Sequence, residues 1–235
     1  MSQLLLDLRL PPPTGFADFI TGANEELIAR LKTLADPFVC NAVTLWGPSG
    51  CGKSHLLAAT ASEAAPHRPV RLLTAASVGE GIDAPEGALI VIDDLQHLDA
   101  VAQLTLFRLF NGARSMLHSL LLATRLPPRA LAVREDLRTR IGQTLIYEVR
   151  PLSEADTCAA LAHHAAARGM VLSDELLTYL LTRVQRDLPT LLALLDRLDC
   201  ASRAAKRPPT LPLLREVLQT ASVPARAPAA AGNAT

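Results

Sequence analysis

Eight consecutive residues combine flexible positions with one ammonium group and two hydroxyl groups: Gly47, Pro48, Ser49, Gly50, Cys51, Gly52, Lys53 and Ser54. They match the G-x4-G-K-[ST] pattern at every fixed position. Glycines let backbone N–H groups turn inward around phosphate oxygens, and a helix N-terminus adds partial positive charge. In such a loop the lysine reaches the β- and γ-phosphates, and the serine hydroxyl ligates Mg²⁺. The segment therefore predicts a P-loop that binds a nucleotide with magnesium.

Two acids follow an apolar segment about 40 residues beyond the loop. The segment Ala88–Ile92 is typical of a buried strand, and Asp93 and Asp94 come directly after it. In P-loop proteins the first acid after such a strand holds Mg²⁺ through its water shell, so we expect Asp93 and Ser54 to share the metal. Asp94 stands where these proteins carry the acid that polarises water, and it is one methylene shorter than the usual glutamate.

Short apolar segments alternate with segments of helical spacing, and this alternation must position the P-loop and the acids. A helix is expected after the N-cap Asn24, and α-helical spacing also covers Ser54–Ala61, Val101–Leu117 and Glu135–Ile141. The alternation favours an α/β fold in which helices cover both faces of a parallel sheet. The predicted strands are Ala42–Trp46, Val70–Leu73, Ala88–Ile92, Leu120–Thr124 and Leu145–Val149.

The pattern changes after Pro151, where only helical segments follow. Ser153 with Asp156 resembles a capping box at the first of these helices. We therefore expect a nucleotide-binding domain at residues 22–150 and a small all-α lid domain at 151–220. Residues 1–21 are expected to be a peptide and linker, and the Ala/Pro-rich residues 221–235 a disordered tail. The predicted lid helices are Ala155–Arg168, Asp174–Val184, Leu188–Ala204 and Leu211–Thr220.

Composition excludes several classes of protein. The 23 basic and 23 acidic residues balance, whereas a large nonspecific nucleic-acid surface needs a basic excess. The four cysteines are widely spaced and form no C-x-x-C pair, which argues against a disulfide framework or a zinc site. The sequence has no signal-peptide pattern and no apolar run long enough to span a bilayer. A cytoplasmic protein is therefore expected.

Several motifs resemble the DnaA branch of the AAA+ ATPases. The segment 52–56 resembles the GK[ST]HL stretch of that branch, and 92–98 resembles its IDD-x-Q-x-L stretch. The opening Phe16-x-x-Phe19 is also similar, and the resemblance covers about residues 14–220. It implies a P-loop AAA+ fold with a helical lid and an ADP or ATP ligand, and it adds His55 to the nucleotide site.

Within that branch the chain looks like the Hda-type proteins, short DnaA homologues that inactivate the initiator, because an Ala/Pro tail stands where DnaA continues into a DNA-binding domain. The segment 3–8 resembles the QL-x-L-x-L peptide with which Hda-type proteins bind the sliding clamp of the replicase. This resemblance places Gln3, Leu4, Leu6 and Leu8 at the clamp. It implies DnaA as a second partner, contact with DNA only through the clamp, and allows a homodimer.

The resemblance also assigns residues to the γ-phosphate. Arg140 falls at the position of the arginine finger, which stabilises charge on a neighbour's ATP, and Arg138 is a close competitor. Thr124 takes the place of the γ-phosphate sensor. In the lid, Pro189 stands where the family has a phosphate-contacting arginine, and Arg186 lies about one turn earlier. We therefore expect weak intrinsic ATP hydrolysis and a role as activator of the DnaA ATPase.

Two other functions compete with this interpretation. A helicase loader of the DnaC/IstB type shares the core and would hydrolyse ATP in its own site, but only about 20 residues precede the core here, too few for a partner-binding domain. A sequence-specific DNA binder is the weakest alternative, because the net charge is zero and no recognition domain is visible.

Overall fold

The structure, a computed structural model, describes residues 15–79, 81–183 and 188–220. The predicted clamp-binding residues Gln3, Leu4, Leu6 and Leu8 lie outside this range, as does Arg186. The chain divides after Pro151 into two compact units. In the described residues, no helix combines the length and the apolar composition that crossing a bilayer requires.

A five-stranded parallel sheet forms the centre of the first unit, in the order β2-β3-β4-β1-β5. All five predicted strands are present, with small shifts at their ends, and the predicted parallel arrangement is confirmed. Because the strands are parallel, the segments that follow β1, β3 and β4 meet at one edge of the sheet. The strands are β1 (Ala42–Trp46), β2 (Val70–Thr74), β3 (Leu89–Asp93), β4 (Ser119–Thr124) and β5 (Leu145–Glu148).

Helices cover both faces of this sheet. Successive residues of a strand point to opposite faces, so Leu89 and Val91 of β3 pack in one hydrophobic cluster, while Ile90 and Ile92 pack in the other. The first cluster includes leucines of α1 and α2, and the second includes apolar residues of α3 and α4. The helices of this unit are α1 (Glu25–Lys32), α2 (Lys53–Ala64), α3 (Ala100–Gly112) and α4 (Glu135–Gly142).

One predicted helix is too long. Helical spacing extended it to Leu117, whereas α3 ends at Gly112 and turns follow. Leu117 takes a left-handed backbone conformation with φ of 53°, and His118 N–H donates to Ala113 O at 2.8 Å across it. Such a hydrogen bond closes a helical end and lets the chain turn into β4.

Asn24 stands at the predicted N-cap position of α1, but its side chain does not cap the helix. Its Nδ2 donates to Arg150 O at 3.0 Å, and its Oδ1 accepts from Arg150 N at 2.9 Å. The capping prediction was therefore wrong in its chemistry. The buried amide instead pairs with both backbone groups of Arg150, the N–H and the C=O, just after β5.

The second unit is all helical, with a core of leucines such as Leu161, Leu180 and Leu195. The predicted capping box forms in part: Ser153 Oγ accepts from Asp156 N at 3.1 Å and donates to Asp156 Oδ2 at 2.7 Å. The helices are α5 (Glu154–Ala166), α6 (Asp174–Arg183), α7 (Leu188–Ala205) and α8 (Leu211–Thr220).

Two features of α7 bear on the lid. Pro189 is the second residue of the helix and is exposed. A proline is tolerated in a first helical turn because the N–H it lacks has no intrahelical partner there. Farther along, Asp196 Oδ1 lies 2.8 Å from His164 Nε2 of α5 and 2.8 Å from Nε of Arg168, which follows the end of α5. This shared carboxylate ties α5 to α7.

Candidate nucleotide-binding site

The P-loop begins where β1 ends and must turn close to another strand. Gly47 has φ of 156°, and a Cβ atom there would lie 2.7 Å from Val149 O. A peptide hydrogen bond from Val149 N to Trp46 O, 2.8 Å long, holds the two segments together. Only glycine fits this approach, so the first fixed position of the motif has a steric cause.

The last glycine of the loop lies under an aromatic ring. Gly52 has φ of 97°, and a Cβ atom there would lie 2.7 Å from Phe19 Cε2. The Phe19 ring also lies 5.5 Å from the His55 ring, and His55 Nε2 is 3.2 Å from Gly15 O. The segment before α1 is thus fixed over the loop. The family resemblance places His55 in the nucleotide site, whereas its contacts in the structure are with this segment.

Lys53 is buried at the first position of α2, and its ammonium lies inside the curve of the loop. Nζ donates to Gly47 O and to Pro48 O, each at 2.7 Å, and lies 3.6 Å from the buried Cys51 Sγ. An ammonium has three donors and no acceptor, so the two loop carbonyls hold the positive charge at the loop. This is the charge distribution that a phosphate needs.

The structure brings the two predicted metal-side residues into contact. Ser54 Oγ donates to Asp93 Oδ2 at 2.6 Å, across 39 positions of sequence. Both groups are oxygen donors, which Mg²⁺ prefers, and this ion is commonly held by one or two protein oxygens together with phosphates and water. Among the described residues, no group of three or more His, Cys, Asp and Glu side chains could hold a metal alone. The pair therefore fits a magnesium ion that phosphates and water complete.

Asp94 is held in an unusual backbone conformation, with φ of 59°. Its N–H donates to Asp93 Oδ1 at 2.7 Å, which stabilises the turn. Its Oδ1 accepts from Gln96 Nε2 at 2.6 Å and lies 4.0 Å from Arg125 Nε. No hydrogen bond to Oδ2 occurs within the described residues. One oxygen of the predicted catalytic acid is therefore anchored, and the other is available to a ligand.

Thr124 ends β4 and pairs in register with Trp46, so it lies next to the start of the P-loop. It is fully buried, and its Oγ1 donates to Gln96 Oε1 at 3.3 Å. The same Oε1 accepts from Arg125 N at 3.1 Å. Gln96 was not predicted as a site residue from the sequence. The signal was a polar residue two positions after Asp94, in the stretch that resembles IDD-x-Q.

The two candidate finger arginines lie on α4, away from the P-loop hydrogen bonds. Leu137 and Ile141 are buried and define the inner face of the helix. Arg138 and Arg140 are separated by about 200° around the helix axis, so they lie on opposite flanks of it. Arg140 is exposed and Arg138 is half-buried, and neither guanidinium has a hydrogen bond or ion pair within the described part of the chain.

Comparison with known proteins identifies the second unit. Residues 154–218 match the Hda lid domain family. The match covers α5 to α8, apart from the last residues of α8.

Solved structures resemble the chain as a whole. Domain III of the replication initiation protein DnaA from Thermotoga maritima is 19% identical with a TM-score of 0.73, and the match covers 90% of this chain and 98% of that one. AMPPCP-bound DnaA from Aquifex aeolicus is 21% identical with a TM-score of 0.65, covering 80% and 65%. A variant of Thermotoga maritima RuvB is 16% identical with a TM-score of 0.66, covering 88% and 72%.

The structural likeness establishes the fold, and the family match identifies residues 154–218 as an Hda lid domain. The parallel sheet, the P-loop after β1 and the helical second unit are those of the AAA+ module of DnaA. The expectation of an AAA+ fold with a small helical lid is thereby confirmed. The second unit thus belongs to the Hda lid domain family, and the chain has the DnaA-like AAA+ fold.

Proposed function

We propose that this chain binds ADP or ATP with Mg²⁺, docks on the sliding clamp and promotes hydrolysis of ATP bound to DnaA. The observation that carries the nucleotide site is the contact between Ser54 and Asp93, together with the buried ammonium of Lys53. These groups lie where the segments after β1 and β3 meet, the position at which α/β sheets bind ligands. The similar DnaA structure that holds AMPPCP supports an adenine nucleotide.

Magnesium would be held by Ser54 and Asp93 and would neutralise phosphate charge. Lys53 would exchange its loop carbonyls for β- and γ-phosphate oxygens, because both are acceptors for the same N–H groups. The Lys53→Ala variant should lose ADP binding measured by calorimetry, while its fold is checked by circular dichroism. Unchanged ADP affinity in that variant would refute the nucleotide site.

Arg140 is proposed as the finger that reaches the ATP of DnaA. The exposed Arg140 guanidinium has no hydrogen bond to any described residue. It can therefore contact another protein without first breaking such a bond. Charge stabilisation at a γ-phosphate by such a group accelerates hydrolysis by about 10³–10⁵ in other P-loop proteins. Arg140 therefore suits the task better than the half-buried Arg138.

The opposite flanks of α4 allow a matched test of the finger. ATP hydrolysis by DnaA is measured with clamp loaded on DNA and with wild type, Arg140→Ala or Arg138→Ala. Arg140→Ala should reduce the stimulation at least tenfold while retaining clamp binding, and Arg138→Ala should retain most of it. Full stimulation by Arg140→Ala would refute the assignment, and the reverse order of the two variants would move the finger to Arg138.

Clamp docking is proposed for Gln3, Leu4, Leu6 and Leu8. In an extended peptide alternate residues share one side, so Leu4, Leu6 and Leu8 would fill an apolar groove together if the bound peptide is extended, and Leu5 would then face the other way. Pull-down on immobilised clamp should succeed with wild type and Leu5→Ala. It should fail with Gln3→Ala, with Leu4→Ala and with a chain that lacks residues 1–10. Retention of the truncated chain would refute clamp docking by this peptide.

The same purified protein separates this proposal from a helicase loader. A regulator with Pro189 at the lid position should hydrolyse ATP slowly in single-turnover assays. Rapid hydrolysis that depends on Lys53 and increases with DNA would favour the loader.

A further inference from the structure

One amide side chain joins the predicted catalytic acid to the predicted γ-phosphate sensor. Gln96 is half-buried in the turn that follows β3. Its Nε2 donates to Asp94 Oδ1 at 2.6 Å, and its Oε1 accepts from Thr124 Oγ1 at 3.3 Å and from Arg125 N at 3.1 Å. The two ends of one planar amide therefore contact the acid after β3 and the end of β4.

The Thr124 hydroxyl has a single proton, and Gln96 receives it. A threonine hydroxyl supplies one donor and two acceptor lone pairs. Leu126 N approaches Thr124 Oγ1 at 3.4 Å as a donor, so this backbone contact uses a lone pair and leaves the proton to Gln96 Oε1. A γ-phosphate oxygen has no hydrogen to donate. It could form a hydrogen bond with the Thr124 hydroxyl only by replacing Gln96 Oε1 as the acceptor of that proton.

The Gln96 amide cannot easily move to keep its hydrogen bond when the Thr124 hydroxyl rotates. Its Nε2 is fixed on the Asp94 carboxylate by a short hydrogen bond to a charged group, which is stronger than a bond between neutral groups. Its Oε1 is also held by the backbone N–H of Arg125. When the Thr124 hydroxyl turns to a phosphate, the amide stays with these partners and loses one hydrogen bond.

We propose that Gln96 competes with the γ-phosphate for the Thr124 hydroxyl proton and thereby weakens binding of ATP relative to ADP. The inference rests on the nucleotide site proposed above. ADP has no phosphate group at this position, so the bond between Thr124 and Gln96 is kept when ADP binds. ATP breaks it and removes one of the contacts that position the amide against Asp94. Gln96 is thus a positioning residue that favours ADP.

The test compares ADP with AMPPCP, an analogue that carries a γ-phosphate and resists hydrolysis. Dissociation constants for both are measured with Mg²⁺ by calorimetry. Gln96→Leu frees the Thr124 proton, so the affinity for AMPPCP relative to ADP should increase about fivefold, the change expected from one net hydrogen bond. In a Thr124→Val background the same substitution should change this ratio less than twofold, since no proton remains to compete for.

A matched control separates this competition from a general effect on the fold. Gln103 is also half-buried and also bridges two segments: its Nε2 donates to Leu98 O at 3.1 Å, and its Oε1 accepts from Arg134 N at 2.9 Å. Gln103→Leu removes a comparable bridge outside the site. It should lower the melting temperature without changing the ratio of the two affinities.

The outcomes are distinct. An unchanged ratio in Gln96→Leu would overturn the competition, and so would a shift of equal size in the Thr124→Val background. Should Gln96→Leu fail to fold, Gln96→Met offers an unbranched apolar side chain of similar length, with the same expected shift. Failure of wild type to bind ADP would instead refute the nucleotide site, and the present inference with it.

Discussion

Arg68 is a buried cation at the edge of the sheet opposite the P-loop, and its replacement by methionine should destabilise the first unit. Its guanidinium makes seven hydrogen bonds, and none of them is to a carboxylate. Burial lowers the pKa of this guanidinium, and Cys40 and Asp36 act in the opposite direction. An arginine side chain is so strongly basic that the group stays charged at neutral pH. The acceptors are the carbonyl oxygens of Leu34, Asp36, Val39, Gly87, Ala88 and Leu117 and the Oγ of Ser119.

The expected loss follows from the acceptors in the buried hydrogen bonds, Leu34 O, Ala88 O and Ser119 Oγ. A buried acceptor without a donor costs about 1–3 kcal/mol. Ala88 O keeps a bond from Ser119 N at 3.0 Å, and Ser119 Oγ keeps its bond to Val39 O at 2.6 Å, so each belongs at the low end. With about 2 kcal/mol for Leu34 O, the sum is about 4 kcal/mol. Methionine carries no charge, so the variant avoids the cost of removing a guanidinium from water on folding. This offsets about 1 kcal/mol of the loss.

A net loss of about 3 kcal/mol corresponds to a fall in melting temperature of about 6–12 °C in a chain of this size. Calorimetry of the full chain measures it. Arg71→Met is the matched control, because Arg71 is exposed on β2 and its Nε donates to Asp83 O at 2.9 Å. That control should change the free energy of unfolding by less than about 0.5 kcal/mol. Arg68→Lys supplies three donors for seven acceptors and should recover less than half of the loss. A melting temperature of Arg68→Met within 2 °C of wild type, on the scale of about 2–4 °C per kcal/mol, would refute the reasoning.

Three further substitutions test contacts in the same unit. Gly52→Ala places a Cβ atom 2.7 Å from the Phe19 ring and should weaken ADP binding at least tenfold by calorimetry, whereas Phe19→Leu in the same chain should restore part of it. Asn24→Leu removes both hydrogen bonds to the backbone of Arg150 and should cost about 2 kcal/mol in urea unfolding. The Arg134 guanidinium lowers the pKa of Asp136 by a hydrogen bond, so Arg134→Ala should raise that pKa in an NMR titration. Since the folded pKa is depressed, the stability contributed by this pair is present above the ordinary pKa of about 3.9 and is lost as the pH falls below it.

The strands and the P-loop could be predicted because their signals are local. Each strand is a short apolar run bounded by polar or turn residues, and the loop motif fixes four positions within eight residues. The pairing of Ser54 with Asp93 also follows from order alone, since parallel strands bring the segments after β1 and β3 to one edge. The end of α3 was missed because apolar spacing continues through Ala113–Leu117, whereas the helix ends at Gly112 and the turns that follow close at the left-handed Leu117.

The missed contacts share another property. Asn24, Arg68 and Gln96 each use a polar side chain to bond groups far away in sequence, mostly backbone groups. A backbone N–H or C=O exists at almost every residue, so sequence carries no mark of which peptide will face a given amide or guanidinium. Local rules favoured a cap for Asn24 and gave no reason to single out Arg68. The partner is decided by how the strands align.

Arg68 and Gln96 act at opposite ends of the same strands. Arg68 bonds Ala88 just before β3 and Ser119 at the start of β4, whereas Gln96 bonds the end of β4 from the turn after β3. The register that joins Ile92 to Leu122 sets where Asp93 and Thr124 stand, and a slip of either strand by one residue would turn its side chain to the other face of the sheet. We therefore expect Arg68 to stabilise the register of β3 and β4, and Gln96 to change the relative affinity of the nucleotide site for AMPPCP and ADP. In folded protein, Arg68→Met should leave the ratio of AMPPCP to ADP affinity unchanged, and Gln96→Leu should shift that ratio with a smaller loss of stability than Arg68→Met. Equal effects of the two substitutions on both measurements would contradict this division.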